Sequence, residues 1–272
     1  MTTTNPRIET FRKLHESGCF VIPNPWDVGS AKLLEQLGFV ALATTSAGLA
    51  WTLGRPDNGI TLDEALDHLR DVCAEVKVPV NADFERGFAT VPADVAVNVG
   101  LATQTGIAGL SIEDSTHEPE SPLFEFELAV ERMRAARKAI DQSGTRIVLT
   151  GRSEGFLVGR PDLRETIRRL TAYSEAGADC LYAPGLRSLS DIQQVVRAVA
   201  PKPVNVIATS DVTTVAELAA AGVRRISVGS ALARAAWSGF LESAREIAEE
   251  GTFSALGRGV PYPKLNAMFD RD

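Results

Sequence analysis

Val78-Pro-Val-Asn-Ala-Asp-Phe-Glu-Arg-Gly-Phe88 and Gly109-Leu-Ser-Ile-Glu-Asp114, with the helix-length segment Thr90–Thr105 between them, decide how this chain folds. Each end is a short apolar run that closes on carboxylates. Together they form a βαβ unit, with acidic side chains at the carboxyl ends of neighbouring parallel strands. In parallel α/β folds that edge carries the chemistry. Acidic residues are poor strand formers, and Asn81, Asp83 and Glu85 alternate onto one face, so packing alone does not account for them.

The same alternation extends both ways along the chain. Upstream, Asn5 to Gly18 reads as an amphipathic helix with Ile8, Phe11 and Leu14 at three-residue spacing. Cys19–Pro23 reads as the first strand. Asp27 or Ser30 caps a helix to Leu37, and Phe39–Thr45 is the second strand. A polar, glycine-bearing loop is expected from Ser46 to Gly59. Thr61 and Glu64 then form a capping box for a helix through Val76. Downstream, strands are expected at Arg146–Thr150, Asp179–Ala183, Val204–Ala208 and Arg225–Val228. Helices are expected at Phe126–Gln142, Arg160–Glu175, Leu189–Ala200, Thr213–Ala221 and Ala231–Glu250. The Ser115–Phe124 loop is rich in Glu and Pro, and the tail from Gly251 reads as less regular. Glycines at 38, 106, 177 and 222 stop a helix just ahead of every second strand. Eight such units predict a (β/α)8 TIM-type barrel. It is expected to be one domain over residues 1–272, with an N-terminal helix at 5–18 and a C-terminal helix and tail at 231–272.

Composition narrows the function classes. The chain has 272 residues, is 44% hydrophobic and carries a net charge of −7. No apolar run reaches the length of a membrane span, and Met1-Thr-Thr-Thr-Asn-Pro-Arg lacks a signal-peptide core. Mild acidity speaks against nucleic acid and anionic membranes as partners. Cys19, Cys73 and Cys180 are scattered without metal spacing and read as reduced, buried fillers, which suits a cytoplasmic protein.

The strand-end loops gather the candidate chemistry. Asp83 and Glu113 should converge from adjacent strands, where a cation resolves their repulsion. Hard oxygen donors with few histidines favour Mg2+, or Mn2+, over Zn2+. The plainer alternative is that these carboxylates pair with Arg86 or Arg152. Arg152 suits a carboxylate or phosphate held in bidentate fashion, or else a structural pair with Glu154 or Glu113. Ser46, Ala47 and Gly48 offer hydroxyl and backbone donors to an anion, or form a tight turn. Asp57 and Asn205 also fall on strand-end segments. His117 is the histidine of the acidic loop, whereas His15 and His68 read as solvated helix residues. Gly229-Ser230 offers a short phosphate cradle. Trp237 and Phe240 read as exposed aromatics on the last long helix and mark an oligomer contact.

In order and spacing, Thr45-Ser-Ala-Gly48, Leu53-Gly-Arg-Pro-Asp57, Val80-Asn-Ala-Asp-Phe-Glu-Arg-Gly87, Ile112-Glu-Asp114, Gly151-Arg-Ser-Glu154 and Pro203-Val-Asn205 resemble the isocitrate lyase/phosphoenolpyruvate mutase superfamily. The resemblance implies a (β/α)8 barrel whose C-terminal helix is swapped between subunits of a homodimer or homotetramer. It also implies Mg2+ and a small 2-oxo acid or its enolate. By position, Ser46, Ala47 and Gly48 resemble the segment that binds the oxo-acid carboxylate, and Asp57 resembles the loop aspartate near the reacting group. Asn81 and Asp83 fall where the family has its metal aspartates, and Glu113 resembles the ligand that reaches the metal through water. Arg152 resembles the arginine that meets substrate, and Asn205 a residue of the pocket floor. The implied reaction is lyase-type cleavage of a C–C bond beside the carbonyl of a small 2-oxo or 2-hydroxy carboxylate. A phosphonopyruvate- or phosphoenolpyruvate-type mutase or hydrolase, and a non-catalytic 2-oxo-acid binding protein, are the alternatives. Two departures stand out. Asn81 replaces the first aspartate, and Ser115-Thr-His-Glu-Pro-Glu-Ser-Pro122 lacks the cysteine and lysine of the lyase loop. The chain therefore resembles a less specialised branch.

Overall fold

The structure, a computed structural model, describes residues 5–208 and 213–270. Its centre is an eight-stranded parallel sheet: β1 (Phe20–Ile22), β2 (Leu42–Ala43), β3 (Val80–Asp83), β4 (Gly109–Glu113), β5 (Val148–Arg152), β6 (Cys180–Tyr182), β7 (Val204–Ile207) and β8 (Arg225–Ser227). The strands pair in the order β1-β8-β7-β6-β5-β4-β3-β2. Between β1 and β2, the Ala43 N–H donates to the Pro23 carbonyl at 3.0 Å, and Asn24 Nδ2 donates to the Thr44 carbonyl at 2.9 Å. The result is the expected (β/α)8 barrel.

Helices α1 (Pro6–Leu14), α2 (Val28–Gln36), α3 (Ser46–Thr52), α4 (Leu62–Glu75), α5 (Pro92–Ala102), α6 (Phe126–Ser143), α7 (Leu163–Glu175), α8 (Leu189–Val199), α9 (Val215–Ala220), α10 (Ala231–Glu250) and α11 (Tyr262–Phe269) alternate with or follow the strands. Their starts are chemically marked. Asp27 with Ser30 forms a capping box on α2, Thr61 with Glu64 on α4, and Thr214 with Glu217 on α9. Each reciprocal pair satisfies two backbone donors that the first turn would leave open. The core lies between the sheet and the inner helix faces, where Leu42, Leu110, Leu149 and Val195 are all fully buried. No helix among the described residues is long and apolar enough to cross a membrane.

Several expectations shift. The glycine-bearing loop after β2 opens as α3, because the Thr45 hydroxyl accepts from the Gly48 N–H at 3.3 Å and starts a helical turn. The expected strand Phe39–Thr45 shortens to Leu42–Ala43, and Arg146–Thr150 moves to Val148–Arg152. The tail is more regular than expected, with a 3-10 turn at Ser254–Arg258 followed by α11. Residues 1–4, 209–212 and 271–272 of the expected layout lie outside the described residues.

One glycine shows how tightly the barrel centre is filled. A Cβ on Gly109 would lie 2.8 Å from Asn81 Oδ1, 2.8 Å from Phe11 Cε1 and 2.9 Å from the Val148 carbonyl. Backbone cannot yield as a side chain can. Gly109→Ala is therefore expected to destabilise the fold by about 1–3 kcal/mol, read as a lower calorimetric midpoint. An unchanged midpoint would mean that this layer has slack.

Candidate active site

The carboxyl ends of the strands surround a cavity of about 190 Å³. Asp83, at the end of β3, stands at its centre. Its Oδ2 accepts from the Ser46 N–H and from Ser46 Oγ, both at 3.0 Å, and its Oδ1 meets the Arg152 guanidinium at 3.2 Å. Its own N–H donates to Thr44 Oγ1 at 3.0 Å. Glu113, the last residue of β4, is pinned from both sides. Arg152 lies 3.0 Å from one oxygen, and His117 Nε2 lies 2.8 Å from the other. Arg152 also pairs with Glu154. One guanidinium thus holds three carboxyl groups, which is the ion-pair alternative for Asp83 and Glu113 with Arg152 as the partner.

Protonation follows from burial and neighbours. Burial pushes the Glu113 carboxyl up, but Arg152 and the His117 hydrogen bond outweigh it and hold the group below the usual carboxylate range. Glu154 is pushed up to about 8 by burial, against the pull of Arg152. Glu85 also rises to about 8 through burial and then the charges of Asp83 and Glu113. The cluster therefore holds both ionised and protonated carboxyls near neutral pH. Glu85 does not continue the strand alternation. β3 ends at Asp83, and Glu85 adopts φ +45° in the turn beyond, buried, with Oε1 lacking a hydrogen-bond partner among the described residues.

The structure brings Ser46, Ala47, Asp57, Asn81, Asp83, Arg152 and Asn205 to the cavity wall. Asp57 sits on the exposed rim, its carboxyl raised by partial burial and then by the charges of Asp83 and Glu113. Gly48 stands behind the wall instead. Its N–H is committed to Thr45, and a Cβ there would lie 2.7 Å from Thr45 Cγ2 and 2.7 Å from Trp26 Cβ. The Ser46 N–H is likewise taken by Asp83, so within this segment the open backbone donor is that of Ala47. Gly229 and Ser230 line the cavity, where Asn24 Oδ1 accepts the Val228 and Gly229 N–H groups, both at 2.9 Å. A larger groove of about 560 Å³ lies outside the barrel, between the 115–124 loop and the start of α7. Neither Asp83 nor Glu113 lines it.

His15 and His68, expected at the solvated surface, are half-buried. His15 caps α1, donates from Nδ1 to the Phe11 carbonyl at 2.7 Å and falls to about 3 through burial and the nearby Arg225. His68, also lowered by burial, borders a small cavity shared with Thr44, Ser46 and Asp83, and its Nε2 has no partner among the described residues. Arg225 and Asn24 were missed as wall residues. A charged residue inside an apolar strand was the available signal for Arg225. Asn24 offers none on its own.

The donor set fits a hard cation. Asn81 Oδ1 is buried without a hydrogen-bond partner in the same cavity as Asp83. One carboxylate and one amide oxygen fit Mg2+, which takes one or two carboxylates, keeps waters and completes its shell with substrate oxygens. No group of three His, Cys, Asp or Glu side chains suited to a metal converges among the described residues.

Known proteins share this fold. A solved structure from Burkholderia cenocepacia J2315, of unassigned lyase or mutase activity, is 46% identical over 98% of this chain and 97% of its own, with a TM-score of 0.95. Phosphonopyruvate hydrolase in complex with oxalate and Mg2+ is 25% identical over 96% of this chain and 93% of its own, with a TM-score of 0.82. The 2-methylisocitrate lyase of Escherichia coli K12 is 32% identical over 177 residues, 62% of this chain and 58% of its own. Residues 11–248 match the phosphoenolpyruvate phosphomutase family model, and with its barrel and strand-end carboxylates the chain belongs to that family, within the isocitrate lyase/phosphoenolpyruvate mutase superfamily.

Proposed function

We propose that the chain is a lyase-type enzyme that cleaves the C–C bond next to the carbonyl of a small 2-oxo or 2-hydroxy carboxylate, with Mg2+, replaceable by Mn2+, as its cofactor. The observation that carries this reading is Asp83, an ionisable strand-end carboxylate held by Ser46 and Arg152 in a cavity of metabolite size. Asp83 would hold the cation, with Asn81 Oδ1 beside it and Glu113 acting through water. When bound, Mg2+ supplies Lewis-acid polarisation of the oxo group and carboxylate. The Ala47 N–H orients the substrate carboxylate, and Ser46, whose N–H and hydroxyl both bond Asp83, holds Asp83 beside it. Arg152 offsets negative charge that develops beside Asp83. Asp57 stands at the mouth, over the reacting group. His117 joins the 115–124 loop to Glu113 Oε1, so we assign the proton step to that pair.

The test is ligand-linked thermal stabilisation with and without Mg2+. The probes are oxalate, oxaloacetate, pyruvate, 2-oxoglutarate, methylisocitrate, dimethylmalate and phosphonopyruvate, with product identification for each hit. Oxalate at a hundred times its dissociation constant is expected to stabilise by about 2.7 kcal/mol in the presence of Mg2+, and Asp83→Ala is expected to abolish that shift. A product from phosphonopyruvate alone would move the reaction to P–C chemistry. Binding without turnover of any probe would leave a 2-oxo-acid binding protein. No Mg2+-linked shift with any probe would end the proposal.

The C-terminal arm supports a homodimer or homotetramer. Among the 20 residues of α10, only Ala233 is buried. Trp237, Phe240, Leu241 and Ile247 stand exposed, and the apolar surface continues through Phe253, Leu256 and Tyr262. Apolar surface of this extent marks an interface, and we assign it to a second copy with α10 exchanged. Trp237→Glu combined with Phe240→Glu is expected to halve the sedimenting mass or more. A wild-type chain that sediments as a monomer would remove this assignment.

A further inference from the structure

The cavity contains a second cation that the proposed chemistry does not use. Arg225, on β8, is 3% exposed and lines the cavity floor. Its guanidinium has three partners, all uncharged. Nε donates to Asn205 Oδ1 at 2.9 Å, one terminal nitrogen donates to Thr150 Oγ1 at 3.1 Å, and the other lies 3.3 Å from His15 Nε2. His15 is held neutral, because burial and Arg225 itself depress its pKa to about 3, and its Nδ1–H is already bonded to Phe11. Two of the five guanidinium N–H groups therefore have no acceptor among the described residues, and Arg225 forms no ion pair among them. Buried charges are normally paired. Arg152 shows the contrast, since it lines the same cavity and holds three carboxylates.

The Ser46 end of the cavity is unsuited to a second negative group, because Asp83 lines it and Asp57 stands at its rim. Towards the floor a second carboxylate meets Arg225 and the amide of Asn205. Asn81 adds no charge to the wall, because it places a neutral amide where a second aspartate would otherwise add negative charge. Both ends open on one cavity, since Ser46, Asp83, Asn205 and Arg225 all line it.

We propose that the barrel floor is a distal-carboxylate subsite, in which Arg225 takes the second carboxylate of a 2-oxo dicarboxylate whose oxo-acid end lies at Ser46 and Asp83. This rests on the 2-oxo-acid reading above and narrows its substrate class to dicarboxylates. Arg225 is then a specificity residue. It distinguishes oxaloacetate or 2-oxoglutarate from pyruvate, which shares the oxo-acid end and lacks the second carboxylate.

The test is calorimetric titration in Mg2+ buffer with three probes: oxalate, pyruvate, and the tighter of oxaloacetate and 2-oxoglutarate. In the wild type the dicarboxylate is expected to bind about tenfold tighter than pyruvate, or more, as a charge-assisted contact allows. Arg225→Met is expected to bring that ratio close to one while oxalate affinity changes by less than about threefold. Because Arg225→Met leaves Asn205 and Thr150 without their partner, it could fail to fold. Thr150→Asp provides the second arm. It adds one heavy atom, keeps the arginine and supplies the missing counter-ion from the protein, so it should also erase the preference. A wild-type ratio near one, or a preference retained in a folded variant, overturns the subsite. Oxalate failing to bind the wild type overturns the 2-oxo-acid reading, and the subsite falls with it. Oxalate binding with no dicarboxylate preference overturns the subsite alone.

Discussion

Arg152→Met is expected to lower stability by about 3–5 kcal/mol at pH 8, the usual loss when a buried ionic cluster is left without its partner. Activity on any substrate found should fall by about 10²–10³. Arg152 is the shared counter-ion of Asp83, Glu113 and Glu154, and the last two are almost fully buried. Methionine keeps much of the volume, so the effect isolates charge. The loss should depend on pH with a definite sign. In the wild type the Glu113 carboxyl is depressed, chiefly by Arg152 working against burial. A depressed folded value contributes stability above the unfolded value of about 4.3, and that contribution disappears as pH falls through the folded value. Removing Arg152 removes this contribution, so the gap between wild type and variant should be widest at pH 7–8 and narrow below about pH 4.3. Urea midpoints at pH 8 and pH 4 measure it. A gap that is equal at both, or wider in acid, would mean that Arg152 acts through packing and not through the Glu113 charge.

The second large effect lies one residue past β4. Asp114 is 2% exposed and joins three elements. Its Oδ1 accepts the Glu154 N–H at 2.8 Å, and its Oδ2 accepts from Arg169 at 3.1 Å and from the Tyr173 hydroxyl at 2.6 Å. These bonds fix the turn after β5 to α7, and Arg169 in turn donates to the Phe124 carbonyl at the end of the acidic loop. Asp114→Ala leaves the Arg169 charge with only the half-exposed Glu165, and is expected to destabilise by about 3 kcal/mol. The anchorage of the 115–124 loop should weaken with it. Limited proteolysis should cut that loop in the variant well below the global melting temperature. A variant that melts early while its loop stays as resistant as the rest would show that Asp114 supports the barrel as a whole and has no special hold on the loop.

How much of this was legible in the sequence follows from the range of the forces involved. The barrel was legible because its signals are local: apolar runs of strand length, capping boxes such as Thr61 with Glu64, and glycines that stop helices. Asp83, Glu113 and Arg152 were legible as strand-end charges, since a charge that closes an apolar strand needs either an opposite charge or a ligand beside it. The Ser46 helix was not legible, because the Thr45 cap that starts it competes with a glycine at 48 that also suits a turn, and packing against Trp26 decides between them. Gly48 was placed in the wall for the same reason.

The sequence by itself determined the fold class, the edge on which the candidate residues gather and their oxygen-rich character, because those depend on periodicity and residue type. Only the tertiary structure decided which charge meets which. Arg152 gathers three carboxylates from β3, β4 and the turn after β5, and Arg225 lies among neutral partners drawn from α1's cap, β5 and β7. Pairing of this kind is set by strand register and barrel closure across as many as 210 positions of chain. No local pattern encodes it, although electrostatics at a few ångströms makes it the feature on which the proposed function turns.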